Sequence, residues 1–238
     1  MKSRRDKAVP EPATAAGGRI PAMRNPAMVV SLVASLCSAV IPAIAQLTID
    51  DFAVVQSLNH STINAGSVSE VSGAGILGGV RMIRLTQGAS AGSLSGTVSA
   101  GVLTMSTTTL GDLEVWWDGV DDDGFTPAGL GGIDLTGGGS FDHFLLDVTA
   151  NSLPGDLMRL QIWINGGDRC ETQFAMPVGL VVVPFANFST CTGAATAASA
   201  SQNAGAVFLR TVLRPGAWSF TLGAVQTTPV SLLDFTVE

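Results

Sequence analysis

After residue 45 the chain runs in short segments rich in Val, Leu, Ile, Thr, Phe and Trp, separated by Gly, Asn, Asp and Pro. None of them sustains a helical period. A period of two puts successive side chains on opposite faces of a strand. The alternation is clear in Arg81-Met82-Ile83-Arg84-Leu85-Thr86 and in Asp142-His143-Phe144-Leu145-Leu146-Asp147-Val148. It is less regular from Leu157 to Ile164, where Trp163 is expected to face the core. The pattern predicts strands over 48–55, 80–86, 93–99, 102–107, 112–117, 141–148, 158–164, 178–184, 206–213, 218–222 and 231–237. About 11 strands with one apolar face each predict an all-β fold of two antiparallel sheets packed face to face. A closed barrel is the rival architecture. The first strand (Ile49-Asp50-Asp51-Phe52) and the last (Leu233-Asp234-Phe235) are alike and are expected to lie close together. Residues 119–139 and 193–205 read as loops, the second as a mobile surface loop in which 194–200 can form a helical turn.

The first 45 residues follow another logic. Lys2, Arg4, Arg5, Lys7, Arg19 and Arg24 precede an apolar run from Met28 to Ile44, which ends in Ala43-Ile44-Ala45. A basic start, an apolar centre and small residues before the break make up a secretory signal peptide, with cleavage expected before Gln46. A membrane anchor fits less well, because the run spans only about 17 residues, is rich in Ala and Ser, and contains Pro42. A single β-sandwich domain over 46–238 is therefore expected in an extracellular, cell-surface or periplasmic setting.

That leading segment holds six of the 12 basic residues and two of the 19 acidic ones, which leaves six and 17, a net charge of −11. Such a surface repels nucleic acid and anionic lipid. No nucleic-acid partner and no membrane span beyond the signal peptide are expected. Cys170 and Cys191 are the two cysteines left after residue 45, and an even pair in an oxidising compartment is read as a disulfide.

Candidate chemistry is sparse. Gly73-Ala74-Gly75-Ile76-Leu77-Gly78 has the spacing of a dinucleotide-binding loop, but it runs into a strand rather than a helix and is read as a turn. Asp118, Asp121, Asp122 and Asp123 can offer the oxygen ligands that calcium takes. Their register departs from a calcium loop: counted back from Gly124 the first ligand falls on Gly119, and no Glu closes it. Solvated acidic turn and calcium site are both kept as readings. His60 and His143 are the only histidines, in no metal-ligand spacing, and no nucleophile elbow is present. Glu70, Glu114 and Glu171 are available for paired-carboxylate chemistry, without a pattern that selects them. Trp116 and Trp117 are adjacent in a strand, so one points inward and the other outward. An outward Trp beside the Asp118 loop can stack on a sugar ring while carboxylates accept from its hydroxyls.

Further segments carry a family likeness: Ile49-Asp50-Asp51-Phe52, Gly75-Ile76-Leu77-Gly78-Gly79-Val80-Arg81, Trp117-Asp118-Gly119, and Gly129-Leu130-Gly131-Gly132-Ile133-Asp134-Leu135. With Phe141-Asp142-His143-Phe144-Leu145-Leu146-Asp147, Pro184-Phe185-Ala186-Asn187-Phe188 and Leu233-Asp234-Phe235, the order resembles a group of bacterial exported proteins, many with a PEP-CTERM sorting tail. The resemblance implies a jelly-roll-like sandwich similar to carbohydrate-binding modules, and it brings no catalytic residues. The sequence closes at Glu238 without the Pro-Glu-Pro motif, apolar helix and basic tail, so a freely released product is expected. These features point to a non-catalytic extracellular β-sandwich that binds polysaccharide or surface matrix. The alternatives are a self-associating structural surface protein and a secreted carboxylate-dependent glycoside hydrolase.

Overall fold

In the central strands every second side chain is apolar and enters one core. Met158, Leu160 and Ile162 do so from one strand, Leu113, Val115 and Trp117 from another, and Val207 and Leu209 from a third. A computed structural model describes residues 46–229 except 121, 123, 154, 156 and 212–215. The expected signal peptide (1–45), the expected strand at 231–237, and Asp121 and Asp123 lie outside the described residues.

Fourteen strands are present among the described residues: β1 (Leu47–Asp50), β2 (Gln56–His60), β3 (Gly66–Ser72), β4 (Val80–Gln87), β5 (Leu94–Ser99), β6 (Val102–Thr107), β7 (Gly111–Trp117), β8 (His143–Asn151), β9 (Leu157–Ile164), β10 (Arg169–Ala175), β11 (Gly179–Pro184), β12 (Thr190–Cys191), β13 (Ala204–Arg210) and β14 (Trp218–Thr228). They form two seven-stranded antiparallel sheets packed as a sandwich. The first runs β11-β8-β14-β6-β5-β2, with β1 also paired to β14; the second runs β12-β10-β9-β13-β7-β4-β3. The core lies between them, from Ile49, Leu103, Phe144 and Phe220 on one side to Ile83, Leu85, Trp117 and Leu160 on the other.

The strand count exceeds the expected 11 or so because β2, β3, β10 and β12 are polar or very short. β2 and β3 are sheet edges, and β3 buries no residue fully, so nothing there demands an apolar alternation. The first strand stops at Asp50, not at 55. The Asp50 carboxylate accepts from the Phe52 amide (2.8 Å), and Phe52 takes a left-handed φ of 51°, which breaks the ladder. The segment expected as a mobile loop contains the helix α1 (Ala197–Gln202), whose Thr196 hydroxyl accepts from the Ser199 amide and whose Ala200 and Ser201 are buried. Small side chains let it pack closely, which composition alone did not signal. Gly73–Gly78 forms a turn that leads through a 3-10 turn (Leu77–Gly79) into β4; Gly75 takes a left-handed φ of 87°, which favours glycine, beside the Asp51 carboxylate. No described helix is long and apolar enough to cross a membrane.

Candidate functional site

Trp116 and Trp117 end β7, and the sheet sends them to opposite faces. Trp117 is fully buried in the core, where its indole N–H donates to Asp50 (2.8 Å). Trp116 is on the outer face of the second sheet, in a separate cluster with Met82 and Phe208, packed against Phe125 and Trp163. Phe125 meets Trp116 edge-on at 4.8 Å and Trp163 at 4.9 Å. The loop after β7 brings Phe125 there. Asp118 is fully buried and accepts from the amides of Thr126 (2.8 Å) and Val120 (3.4 Å). Burial pushes its carboxyl above the ordinary range, and those two amides oppose the shift. Asp122 accepts from the Gly124 amide (3.1 Å) and the Thr126 hydroxyl (3.2 Å). These carboxylates hold the loop in shape, and the loop lays Phe125 over the sheet. Among the described residues, no three His, Cys, Asp or Glu side chains converge as a cation would require.

Beneath Phe125 lies a cleft of about 290 Å³, floored by the outward side chains of five adjacent strands. Register sets its rows. Met82, Trp116, Phe208 and Gln161 stand side by side across β4, β7, β13 and β9. The next row is Arg84, Glu114, Arg210 and Arg159, and Trp163 faces Arg169 of β10. Trp163 therefore points out, against the expectation that it faces the core. Its parity is that of Arg159 and Gln161, opposite to Met158, Leu160 and Ile162.

Charges in the cleft are shared. Glu114 lies 3.8 Å from Arg210 and 3.9 Å from Arg84; Glu171 lies 3.6 Å from Arg159 and 3.8 Å from Arg169. Arg210 also donates to Asp112 (3.3 Å), and Gln161 donates to Glu171 (2.6 Å). Burial pushes the Glu114 carboxyl up, opposed by Arg210 and Arg84 and assisted by Asp112. Guanidiniums lie over aromatic rings: Arg169 over Trp163 at 4.9 Å, Arg84 over Trp116 at 5.5 Å and Arg210 over Phe208 at 5.9 Å. Four buried polar atoms here have no hydrogen-bond partner in the protein: Glu114 Oε2, Trp116 Nε1, Arg159 Nε and Arg169 Nε. Such atoms are costly to leave unmet, and each calls for an explanation.

Of the residues singled out in the sequence, Trp116 lines the cleft, Trp117 is core, and Asp118 and Asp122 brace the loop. The Cys170–Cys191 disulfide is formed across β10 and β12. His60 is bound to Ser67 and Thr62, and His143 is fully buried beside Asp142. The cleft's arginines, with Phe125, Gln161 and Phe208, were not anticipated. A partial signal was present: Arg159 has the strand parity of Trp163, and Arg210 that of Phe208.

No family model matches the chain, and no curated protein does. Among solved structures, a family 11 carbohydrate-binding module of the cellulosomal cellulase Lic26A-Cel5E of Clostridium thermocellum is similar at 12% identity and a TM-score of 0.39, over 79% of this chain and 96% of that one. A family 11 module from Clostridium thermocellum in complex with a β-1,3-1,4-mixed-linked tetrasaccharide is similar at 12% identity and a TM-score of 0.38, over 79% of this chain and 97% of that one. Both are likenesses of fold.

Proposed function

We propose that this chain is a non-catalytic, exported carbohydrate-binding β-sandwich whose binding site is the cleft under Phe125. One observation carries the reading: aromatic rings and unmet donors and an unmet acceptor converge in one open cleft on the sheet's outer face. A sugar hydroxyl both donates and accepts. It can take the N–H groups of Arg159, Arg169 and Trp116 and give its proton to Glu114. The export expected from residues 1–45 and the formed disulfide suit an oxidising compartment, extracellular, cell-surface or periplasmic. The test is retention of the purified protein on a panel of polysaccharides. Trp163→Ala, on the outer face, is expected to weaken binding about tenfold or more, the cost typical of an aromatic anchor. Failure to bind any polysaccharide would remove this reading.

A second reading, self-association at a surface, is favoured by β11. This end strand of the first sheet turns Leu180 and Val182 outward, 60% and 39% exposed.

A further inference from the structure

We infer that the cleft selects acidic polysaccharides, in which sugar carboxylates bind the arginines of β9 and β10; this rests on the carbohydrate reading above. The distribution of cations is the first ground. The whole chain has a net charge of −7, and −11 after residue 45, yet Arg84, Arg159, Arg169 and Arg210 all line this one cleft. A chain so poor in basic residues has placed most of them where a ligand would lie.

The second ground is the state of those cations. Glu114 stands between Arg84 and Arg210, and Glu171 between Arg159 and Arg169, at 3.6 to 3.9 Å. That separation gives Coulomb attraction but lies beyond hydrogen-bond reach for these pairs. Each carboxylate thus answers two guanidiniums partly, and the Nε–H groups of Arg159 and Arg169 are buried with no acceptor. A neutral hydroxyl can accept one such proton. A carboxylate can accept two from a guanidinium fork and balance its charge as well.

Preorganisation is the third ground. The Arg169 guanidinium carbon lies over the Trp163 ring at 4.9 Å and its side chain is 34% exposed, so the ring and Glu171 restrict its orientation before a ligand arrives. Lysine would supply the charge without the planar fork. Because the rest of the surface is acidic, a polyanion is attracted only at the cleft.

The experiment measures affinity of the purified protein for polygalacturonate, alginate and hyaluronate, each beside its carboxyl-reduced neutral counterpart, with dextran sulfate as a sulfated polyanion. At least one carboxylated polymer is expected to bind ten times or more tightly than its reduced form, with affinity falling as NaCl rises. Arg159→Gln and Arg169→Gln are each expected to lower that affinity about tenfold and to lower affinity for the reduced polymer by a clearly smaller factor. Equal affinity for an acidic polymer and its reduced form would overturn the inference and leave the carbohydrate reading standing. Tighter binding of dextran sulfate than of every carboxylated polymer would overturn the carboxylate assignment. If no polymer binds, acidic or neutral, the reading it rests on falls with it.

Discussion

Asp50 and Arg81 form a fully buried ion pair at 3.0 Å that ties the two sheets together. Asp50 also accepts from Trp117 and the Phe52 amide, while Arg81 donates to Gln56 (2.8 Å) and to the Val54 carbonyl (2.6 Å). Burial pushes the Asp50 carboxyl up, and Arg81 leads the groups that pull it back. Removing one partner strands the other charge. Asp50→Ala is therefore expected to lower the unfolding free energy by about 3–5 kcal/mol in urea titration, with partial recovery when Arg81→Met is added. Recovery matters here, since a lost packing contact alone would not be rescued. Asp118 gives a pH signature. Its folded carboxyl holds a proton more tightly than the unfolded one, so stability falls as pH rises from the ordinary value of 3.8 toward the raised folded value. Asp118→Asn cannot ionise and keeps an oxygen for the Thr126 amide. Its stability should gain on the parent as pH rises above 3.8, and a gap independent of pH would show that burial does not tax this carboxylate. Neither residue's environment was legible beforehand. Arg81 has the parity of Ile83 and Leu85, but an arginine in an alternating strand reads as solvent-facing. For Trp116-Trp117, alternation predicted opposite faces without saying which was inward.

At the scale of elements, strands with an apolar face were the legible ones. β4, β7, β9 and β13 fell close to their expected ranges because two-residue periodicity records a face against the core. The edges β2, β3 and β12 were illegible because their demands are backbone pairing, which any polar segment can meet, whereas the edge β11, which buries Val181 and Val183, fell on its expected range. β10 is the instructive case. It supplies Arg169 and Glu171 to the cleft, although only Cys170 among its residues is fully buried. Its outer neighbour β12 is two residues long, and the Cys170–Cys191 bond joins positions directly opposite in register. Closing a loop with a separation of 21 residues should contribute about 3 kcal/mol. The Cys170→Ala/Cys191→Ala protein is expected to lose about that much in denaturant unfolding, and hydrogen exchange should rise first in β10 and β12. Uniform exchange across both sheets would place the effect elsewhere.

Across the whole molecule, the two sheets have different outer faces. The second sheet gathers arginines and aromatic rings, whereas the first ends in β11 with Leu180 and Val182 exposed. Open apolar edges pair with other chains unless a charge interrupts them. Leu180→Lys is expected to reduce concentration-dependent association in sedimentation while leaving polysaccharide affinity unchanged. Association that persists in the variant would exclude β11 as the contact. Architecture was readable from periodicity, since face-to-face packing is a property of faces. The cleft was not, because Arg84 and Arg210 reach Glu114 only once β4, β7 and β13 are aligned, and no local pattern encodes that alignment. The cleft is therefore a property of the assembled sheet: its lining runs from Arg84 to Arg210 and is complete only when β13 is paired with both β7 and β9. On the proposed reading, a polysaccharide present at a hundred times its dissociation constant would deepen the folded state by about 2.7 kcal/mol.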